Sequence, residues 1–222
     1  MAELSERYNR KENYYLYDTY WGDGYNWLAL GNSLTLINDW GRGICSTKLD
    51  NDYFGLVKKE LESRYDEVST FRYNYAVWER SEERKSEYDL IEEFLDPRLD
   101  LVTIQLGENT SDLSTYETDL GELVDFIRTV APDAQIIIID DFWSQEKSDI
   151  RKAVANDKGC GFADLSDIRG KSEYQSQTGI ICEMPDGSTE SVPEEAATHP
   201  GDEGMAVIAE RILQLVEYNL NP

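Results

Sequence analysis

Histidine and cysteine are scarce in this sequence of 222 residues. It has one histidine, His199, and three widely spaced cysteines without a C-x-x-C pair: Cys45, Cys160 and Cys182. This set offers neither the ligand spacing of a zinc site nor the cysteine pattern of a disulfide framework. The Asp-x-Asp-x-Asp-Gly pattern of a calcium loop is also absent. We therefore expect no metal and no cofactor.

Basic side chains are scarce as well. The 21 lysines and arginines face 45 aspartates and glutamates, which gives a formal net charge of -24. Phosphate backbones and anionic membrane surfaces repel such a chain, so we expect neither a nucleic acid nor a membrane as its partner. No apolar run has the length of a signal peptide core or a membrane span. We expect a cytoplasmic protein, with an excised domain of an exported protein as the alternative, and the oligomeric state stays open.

No linker, internal repeat or low-complexity tract divides the chain, and 40% hydrophobic residues are enough for one core. We expect a single domain over residues 1–222, with residues 1–25 as an N-terminal extension packed on it. The extension contains an aromatic cluster, which we expect to cover the core or a sheet edge rather than to stack on a sugar. Its members are Tyr14, Tyr15, Tyr17, Tyr20 and Trp21.

Apolar runs typical of buried strands alternate with segments of helical period. The predicted strands are Asn26–Leu30, Leu99–Leu106, Gln135–Ile139 and Gly161–Leu165. The predicted helices are Tyr53–Tyr65, Ser81–Leu95, Gly121–Val130, Ser148–Asp157 and Asp202–Tyr218. This alternation predicts an α/β fold in which helices cover both faces of a parallel sheet, a three-layer α/β/α sandwich. Ligands of such sheets bind beyond the carboxyl ends of the strands.

Polar motifs stand at the expected places. Ser33 follows the first predicted strand in the segment Gly31–Thr35, and Asn109 follows the second in Gly107–Thr110. His199 precedes Pro200, which holds it in a loop before the last helix. Taken singly, these are common turn or surface residues. Their joint order suits a serine nucleophile, a neutral-pH base and an amide donor for an oxyanion.

Together these motifs resemble the SGNH/GDSL hydrolase superfamily. Gly31–Leu34 (GNSL) is similar to its first block, Gly107–Asn109 (GEN) to its third, and Thr198–Met205 (THPGDEGM) to its fifth. The resemblance extends roughly from Trp27 to Leu215 and is carried by three short blocks in the right order. It implies a flavodoxin-like sheet and the hydrolysis of carboxylic esters.

The resemblance also implies roles for individual residues. Ser33 is the expected nucleophile and His199 its general base. The expected oxyanion hole consists of the backbone N–H groups of Ser33 and Ser46 and the side chain of Asn109. Ser46 stands where the second block, here Gly43–Thr47, normally has glycine. A serine keeps that backbone donor only if its φ is negative, because positive φ strains a residue with a side chain.

The fifth block departs from the family pattern. The aspartate expected three residues before the histidine is Ala196 here, which leaves Glu195 or a backbone carbonyl to orient His199. Some branches of the family that share the Gly-Glu-Asn and His-Pro-Gly-Asp-Glu-Gly-Met motifs also lack this aspartate. Candidates for lining the site are Asn32, Gly107, Glu108 and Trp78. Because the segment Tyr75–Glu79 resembles a stretch of that branch, Trp78 and Glu79 belong to the site in one interpretation and are a core aromatic and a surface carboxylate in the other.

The sequence thus predicts a serine esterase or acylhydrolase, with a carbohydrate-bound acetyl group as the leading substrate. An acyltransferase using the same serine is the first alternative. A non-catalytic carbohydrate-binding relative is the second, and the missing aspartate supports it. A structural or redox-sensing protein that uses Cys45 or Cys160 is a third alternative. It has little support, because neither cysteine has basic neighbours in the sequence that would lower the pKa of its thiol.

Overall fold

The structure, a computed structural model, describes residues 15–17, 21–37 and 40–218. Its main sheet has six strands in the order β1-β3-β2-β4-β5-β6. They are β1 (Tyr15–Tyr17), β2 (Tyr25–Gly31), β3 (Val68–Asn74), β4 (Leu101–Gln105), β5 (Gln135–Ile139) and β6 (Gly161–Ala163). The pair β1 and β3 is antiparallel and the other pairs are parallel, so five strands share one direction. The predicted α/β sandwich is confirmed.

Helices cover both faces of this sheet. They are α1 (Tyr53–Arg64), α2 (Ala76–Arg80), α3 (Asp89–Glu92), α4 (Tyr116–Val130), α5 (Gln145–Lys158) and α6 (Asp202–Leu213). Because side chains alternate along a strand, Leu28 and Leu30 of β2 pack in the cluster with α4 and α5. Trp27 and Ala29 pack in the opposite cluster, with α1 and α6. Among the described residues, no helix combines the length and the apolar character needed to cross a membrane.

Between α1 and β4, two segments differ from the prediction. Ser81–Leu95 is not one surface helix: it contains a 3-10 turn, Arg84–Glu87, followed by the single turn α3. Arg84, which a surface helix would expose, is buried and donates to Thr115 and Asp119 beside α4. The strand β3 and the helix α2 after it were not predicted at all, because polar residues interrupt the apolar pattern of β3.

The N-terminal segment covers an edge of the sheet where it is described. β1 pairs with β3 on the side away from β2, so β3 has a neighbour on each side and is not an edge strand. Trp21 packs on the core, and its indole N–H donates to the Phe94 carbonyl at 2.9 Å. Tyr14 and Tyr20, and the side chains of Tyr15 and Tyr17, lie outside the described residues. For Trp21 the expected role in covering the core is confirmed.

A hairpin that was not predicted lies between β6 and α6. Its strands are β7 (Ile181–Glu183) and β8 (Thr189–Ser191), and the Glu183 N–H donates to the Thr47 carbonyl at 2.8 Å. A small apolar cluster joins Cys182 of this hairpin to Cys45 and Ala196. The hairpin therefore packs the loop before His199 against the second block.

Asp52 holds several of these parts together. It is the N-cap of α1, where it accepts from the Gly55 N–H at 2.7 Å, and it also accepts from the Gly43 N–H at 2.9 Å. Its remaining partner is the Arg72 guanidinium on β3, and both side chains are buried. A buried ion pair whose partners carry further hydrogen bonds is costly to break from one side.

We expect Asp52→Ala to destabilise the protein by about 3 to 5 kcal/mol, since it leaves a buried guanidinium unpaired and removes a helix cap. Urea unfolding monitored by circular dichroism measures this loss. Asp157→Ala is the matched control, because that side chain is 77% exposed and its loss is expected to cost no more than about 0.5 kcal/mol. Equal stability of Asp52→Ala and the wild type would contradict the proposed importance of this ion pair.

Candidate active site

Ser33 lies in a tight turn directly after β2. The Asn32 carbonyl accepts from the Thr35 and Leu36 N–H groups at 3.0 and 2.9 Å, and the Asn32 side-chain oxygen accepts from the Leu34 N–H at 3.1 Å. Ser33 is half-buried. Within the described part of the chain, neither its N–H nor its hydroxyl has a hydrogen-bond partner. The turn thus presents both groups at the carboxyl end of a central strand.

The second block packs directly on this turn. The Ile44 N–H donates to the Ser33 carbonyl at 2.8 Å. A Cβ at Gly43 would lie 2.2 Å from the Leu34 carbonyl oxygen, so the close approach of the two loops requires glycine there. Cys45 is the one non-glycine residue with positive φ, 67°, among those described. The φ angle of Ser46 is therefore not positive, which is the condition for a serine to keep the backbone donor at this position. Its N–H has no acceptor in the described region.

The third block follows β4 and is anchored by Glu79. Gly107 has a φ of 127°, and a Cβ on it would lie 2.0 Å from the Tyr116 hydroxyl, so only glycine fits. Its N–H donates to Glu79, and the Asn109 side-chain nitrogen donates to the same carboxylate at 2.6 Å. An asparagine amide has two N–H groups, which leaves the second one of Asn109 for a ligand.

Two of the candidate lining residues form a buried network behind the turn instead. Asn32 donates to Glu108 at 2.7 Å and to Glu79 at 3.0 Å, so both protons of its amide are used. Glu108 also forms an ion pair with Arg151 at 3.0 Å. The pKa of Glu108 is raised to about 7, first by burial and also by the neighbouring carboxylates of Asp141 and Glu79, against the lowering effect of Arg151.

The loop before α6 determines the chemistry of His199. Its ring nitrogen Nδ1 lies 2.9 Å from the Ala196 carbonyl oxygen. A carbonyl only accepts, so Nδ1 carries the proton and Nε2 of the neutral ring keeps a free lone pair. Burial lowers the pKa of His199 below its usual value, while the bond to Ala196 raises it. Glu195, the candidate orienting acid, is exposed, and among the described residues it forms no hydrogen bond or ion pair with the ring. The backbone carbonyl takes that place.

Trp143 supports the same loop from the carboxyl end of β5. Its indole N–H donates to the Thr198 carbonyl at 3.1 Å. Its ring meets the His199 ring edge to face, with centroids 5.2 Å apart. The imidazole is thus held by a hydrogen bond at Nδ1 and by an aromatic contact with Trp143.

Contacts between loops bring His199 and Ser33 to the same edge of the sheet. Cys45, beside the Ile44 that binds the Ser33 carbonyl, donates its thiol to the Ala196 carbonyl at 3.2 Å. At the start of α6, Asp202 accepts from the Thr47 N–H at 2.8 Å and from its hydroxyl at 2.6 Å. No hydrogen bond joins the Ser33 hydroxyl to the imidazole in the described part of the chain. Such bonds are often long in unliganded enzymes and tighten when substrate binds.

Trp78 does not line the site. It is fully buried, stacks near Tyr75 and meets Tyr116 edge to face, so the interpretation as a core aromatic is correct. Its neighbour Glu79 was the alternative surface carboxylate, and that interpretation is wrong because only 1% of it is exposed. Sequence reasoning also missed Trp143, although its position just after a predicted strand was a usable signal.

The three cysteines are free thiols. Burial raises the pKa of Cys45 to about 12 and also raises the pKa values of Cys160 and Cys182, so each stays a thiol near neutral pH. Among the residues that the structure describes, no group of three or more histidine, cysteine, aspartate or glutamate side chains is placed to hold a metal ion.

No protein-family model and no curated protein matches the chain. Solved structures do match it. The acetylxylan esterase of Geobacillus stearothermophilus is 19% identical, with a TM-score of 0.58 over 89% of this chain and 96% of the esterase. Two crystal structures of that esterase are of catalytic mutants, one with a histidine and one with a serine replaced by alanine.

Two further structures widen the range of activities on this fold. A GDSL-like lipase from Parabacteroides merdae is 15% identical, with a TM-score of 0.55 over 86% of this chain and 94% of the lipase. The salicylyl-acyltransferase of a tetracycline biosynthetic pathway is 12% identical, with a TM-score of 0.51 over 87% of this chain and 55% of the acyltransferase. The chain therefore has the fold of the SGNH/GDSL hydrolases, the superfamily that its sequence motifs resemble.

Proposed function

We propose that the protein is a serine esterase in which Ser33 is the nucleophile and His199 the general base. The observation that carries this proposal is the hydrogen bond from His199 Nδ1 to the Ala196 carbonyl at 2.9 Å. It fixes the tautomer in which Nε2 is free to accept a proton. The loop that carries His199 contacts the second block, which in turn packs on the turn of residues 32–36 that holds Ser33, here called the nucleophile turn. The catalytic serine and histidine of the acetylxylan esterase are consistent with this assignment.

The reaction proceeds in two steps. In the first, His199 accepts the hydroxyl proton as Ser33 Oγ bonds to the ester carbonyl carbon, and the protonated ring then gives that proton to the leaving alcohol. In the second, His199 takes a proton from water as the water oxygen bonds to the acyl carbon, and the protonated ring then returns that proton to Ser33 Oγ as the bond between Oγ and the acyl carbon breaks and the acid leaves. The N–H groups of Ser33 and Ser46 and the free N–H of Asn109 stabilise the oxyanion in both steps.

A carbonyl is a weaker partner for an imidazolium than a carboxylate, since it carries only a partial negative charge. The Ala196 carbonyl therefore keeps the tautomer and the ring orientation that an aspartate would provide, with less stabilisation of the charged ring. The absence of the aspartate is thus compatible with a working dyad, which weakens the argument for a non-catalytic relative.

The proposed substrate is a small ester, with an acetylated carbohydrate as the leading class. The acetylxylan esterase supports this choice, and Trp143 is a half-buried aromatic ring beside His199. Such a ring provides a flat apolar surface. The salicylyl-acyltransferase supports the alternative in which an alcohol rather than water accepts the acyl group. Acetate release from an acetylated xylo-oligosaccharide, measured with and without added glycerol, separates hydrolysis from transfer to glycerol.

The decisive test is covalent labelling with a fluorophosphonate probe, which reacts with activated serines. We expect one adduct, on the peptide that contains Ser33, because the proposed mechanism gives this serine a general base, His199, and N–H donors for the oxyanion. Peptide mass spectrometry locates the adduct. Heat-unfolded protein is the control and should not react. An intact protein that stays unlabelled, or an adduct on another serine, would contradict the proposal.

A further inference from the structure

Glu79 is a buried carboxylate that binds two of the loops at the site. It lies on α2 after β3 and is 1% exposed. One oxygen accepts from the Asn32 side-chain nitrogen at 3.0 Å, from the Gly107 N–H and from the Asn109 N–H at 3.5 Å. The other accepts from the Asn109 side-chain nitrogen at 2.6 Å. The nucleophile turn and the third block thus share one anchor.

All of these partners are donors, so both Glu79 oxygens act as acceptors. No lysine or arginine forms an ion pair with Glu79 in the part of the chain that the structure describes. Four N–H groups solvate the carboxylate instead, which is how a buried charge is tolerated. Any group in its place that is itself a donor would oppose at least one of these N–H groups.

We propose that Glu79 is a positioning residue that determines which end of the Asn109 amide faces the ester. The oxygen and nitrogen of an asparagine amide are nearly the same in shape, so packing alone does not choose between them. A partner that only accepts hydrogen bonds selects the nitrogen. The second N–H of Asn109 then points away from Glu79 and is available to the oxyanion. This inference rests on the proposed function, in which Asn109 is an oxyanion donor.

Glu79→Gln tests the inference because it keeps the size of the side chain and adds one donor. If the new side-chain nitrogen at position 79 faces Asn109, two donors oppose each other. The Asn109 amide then has to turn over to accept the new hydrogen bond, and it presents its oxygen instead of its N–H to the developing oxyanion. If it faces the other way, it opposes the fixed N–H of Gly107. The first arrangement costs less, since a side chain turns more easily than a backbone, and it removes the oxyanion donor.

The experiment is a double-mutant cycle of wild type, Glu79→Gln, Asn109→Ala and the double variant, with kcat and KM measured on p-nitrophenyl acetate. We expect Asn109→Ala to lower kcat by about a hundredfold, as for other oxyanion donors. Glu79→Gln should lower kcat by about thirtyfold or more with little change in KM, and should lower it by less than about threefold in the Asn109→Ala background. Equal losses in both backgrounds would mean that Glu79 does not act through Asn109.

A matched control and a second readout separate this inference from the proposed function. Glu82 is exposed on the neighbouring turn, so Glu82→Gln should match the wild type. The Asn109 side-chain N–H signals in a 15N NMR spectrum, assigned with Asn109→Ala, should shift in Glu79→Gln. Unchanged signals would overturn the positioning role whatever the activity. A wild-type protein without esterase activity but with the expected shift would overturn the proposed function and uphold the amide orientation.

Discussion

Ser33→Ala is expected to abolish ester hydrolysis, with kcat on p-nitrophenyl acetate falling by about ten-thousandfold or more. In the proposed mechanism, no acyl-enzyme forms without Oγ. The ester is then hydrolysed only by the slow direct attack of water. The fold should be unaffected, since the hydroxyl has no hydrogen-bond partner among the described residues. Steady-state rates check the expected loss of activity, and urea unfolding of the same preparation checks that the stability is unchanged.

Ser172→Ala is the control for this change, since Ser172 is exposed in a 3-10 turn. Its rate should equal that of the wild type within about twofold, as for surface substitutions generally. If Ser33→Ala keeps more than a few per cent of the wild-type rate, another nucleophile is responsible and the proposed mechanism is wrong.

The parts of the site that carry motifs can be predicted from sequence because each motif marks a chain turn. Ser33 and Asn109 follow apolar runs that become β2 and β4, and His199 precedes a clear amphipathic helix. The carboxyl ends of parallel strands lie at one edge of the sheet, so the order of motifs already implies that these residues lie near one another.

The supports of the site cannot be predicted in the same way. The position of Glu79 is set by β3, the strand that precedes its helix. The sequence of β3 does not look like a buried strand because it contains polar residues. Tertiary contacts bury these residues; Arg72, for example, is buried by its ion pair with Asp52. The group that orients His199 is the carbonyl of Ala196, and a backbone carbonyl leaves no mark in a sequence. The motif comparison locates a missing aspartate, whereas only the structure locates its substitute.

Several carboxylates are buried close to the candidate site. Glu79, Glu108 and Asp141 are carboxylates behind the nucleophile turn, and Arg151 pairs with two of them, at 3.0 and 3.2 Å. The side-chain amides of Asn32 and Asn109 donate hydrogen bonds to two of these carboxylates, Glu79 and Glu108. In the proposed mechanism, we expect these donors to offset the repulsion between the buried carboxylates and the developing oxyanion.

His199→Ala is the second substitution with a large expected effect. Removal of the proposed general base should lower kcat by about a thousandfold or more, the range for general acid–base groups that act with a nucleophile. Labelling of Ser33 by the fluorophosphonate probe should slow in parallel, because the same base activates the serine. Normal labelling in His199→Ala would show that Ser33 is activated by another group.

The pH dependence of kcat/KM identifies the base directly. Only the neutral ring accepts the serine proton, so activity should fall as pH decreases through the pKa of His199. Burial lowers that pKa below its usual value near 6.5, so the acid limb should have its midpoint below 6.5. Glu108, whose pKa is raised by burial to about 7, is the competing source of such a limb. If His199 is the base, Glu108→Gln keeps the limb with its midpoint below 6.5. A limb near 7 that disappears in Glu108→Gln would assign the titration to the carboxylate, and with it the pH control of the reaction.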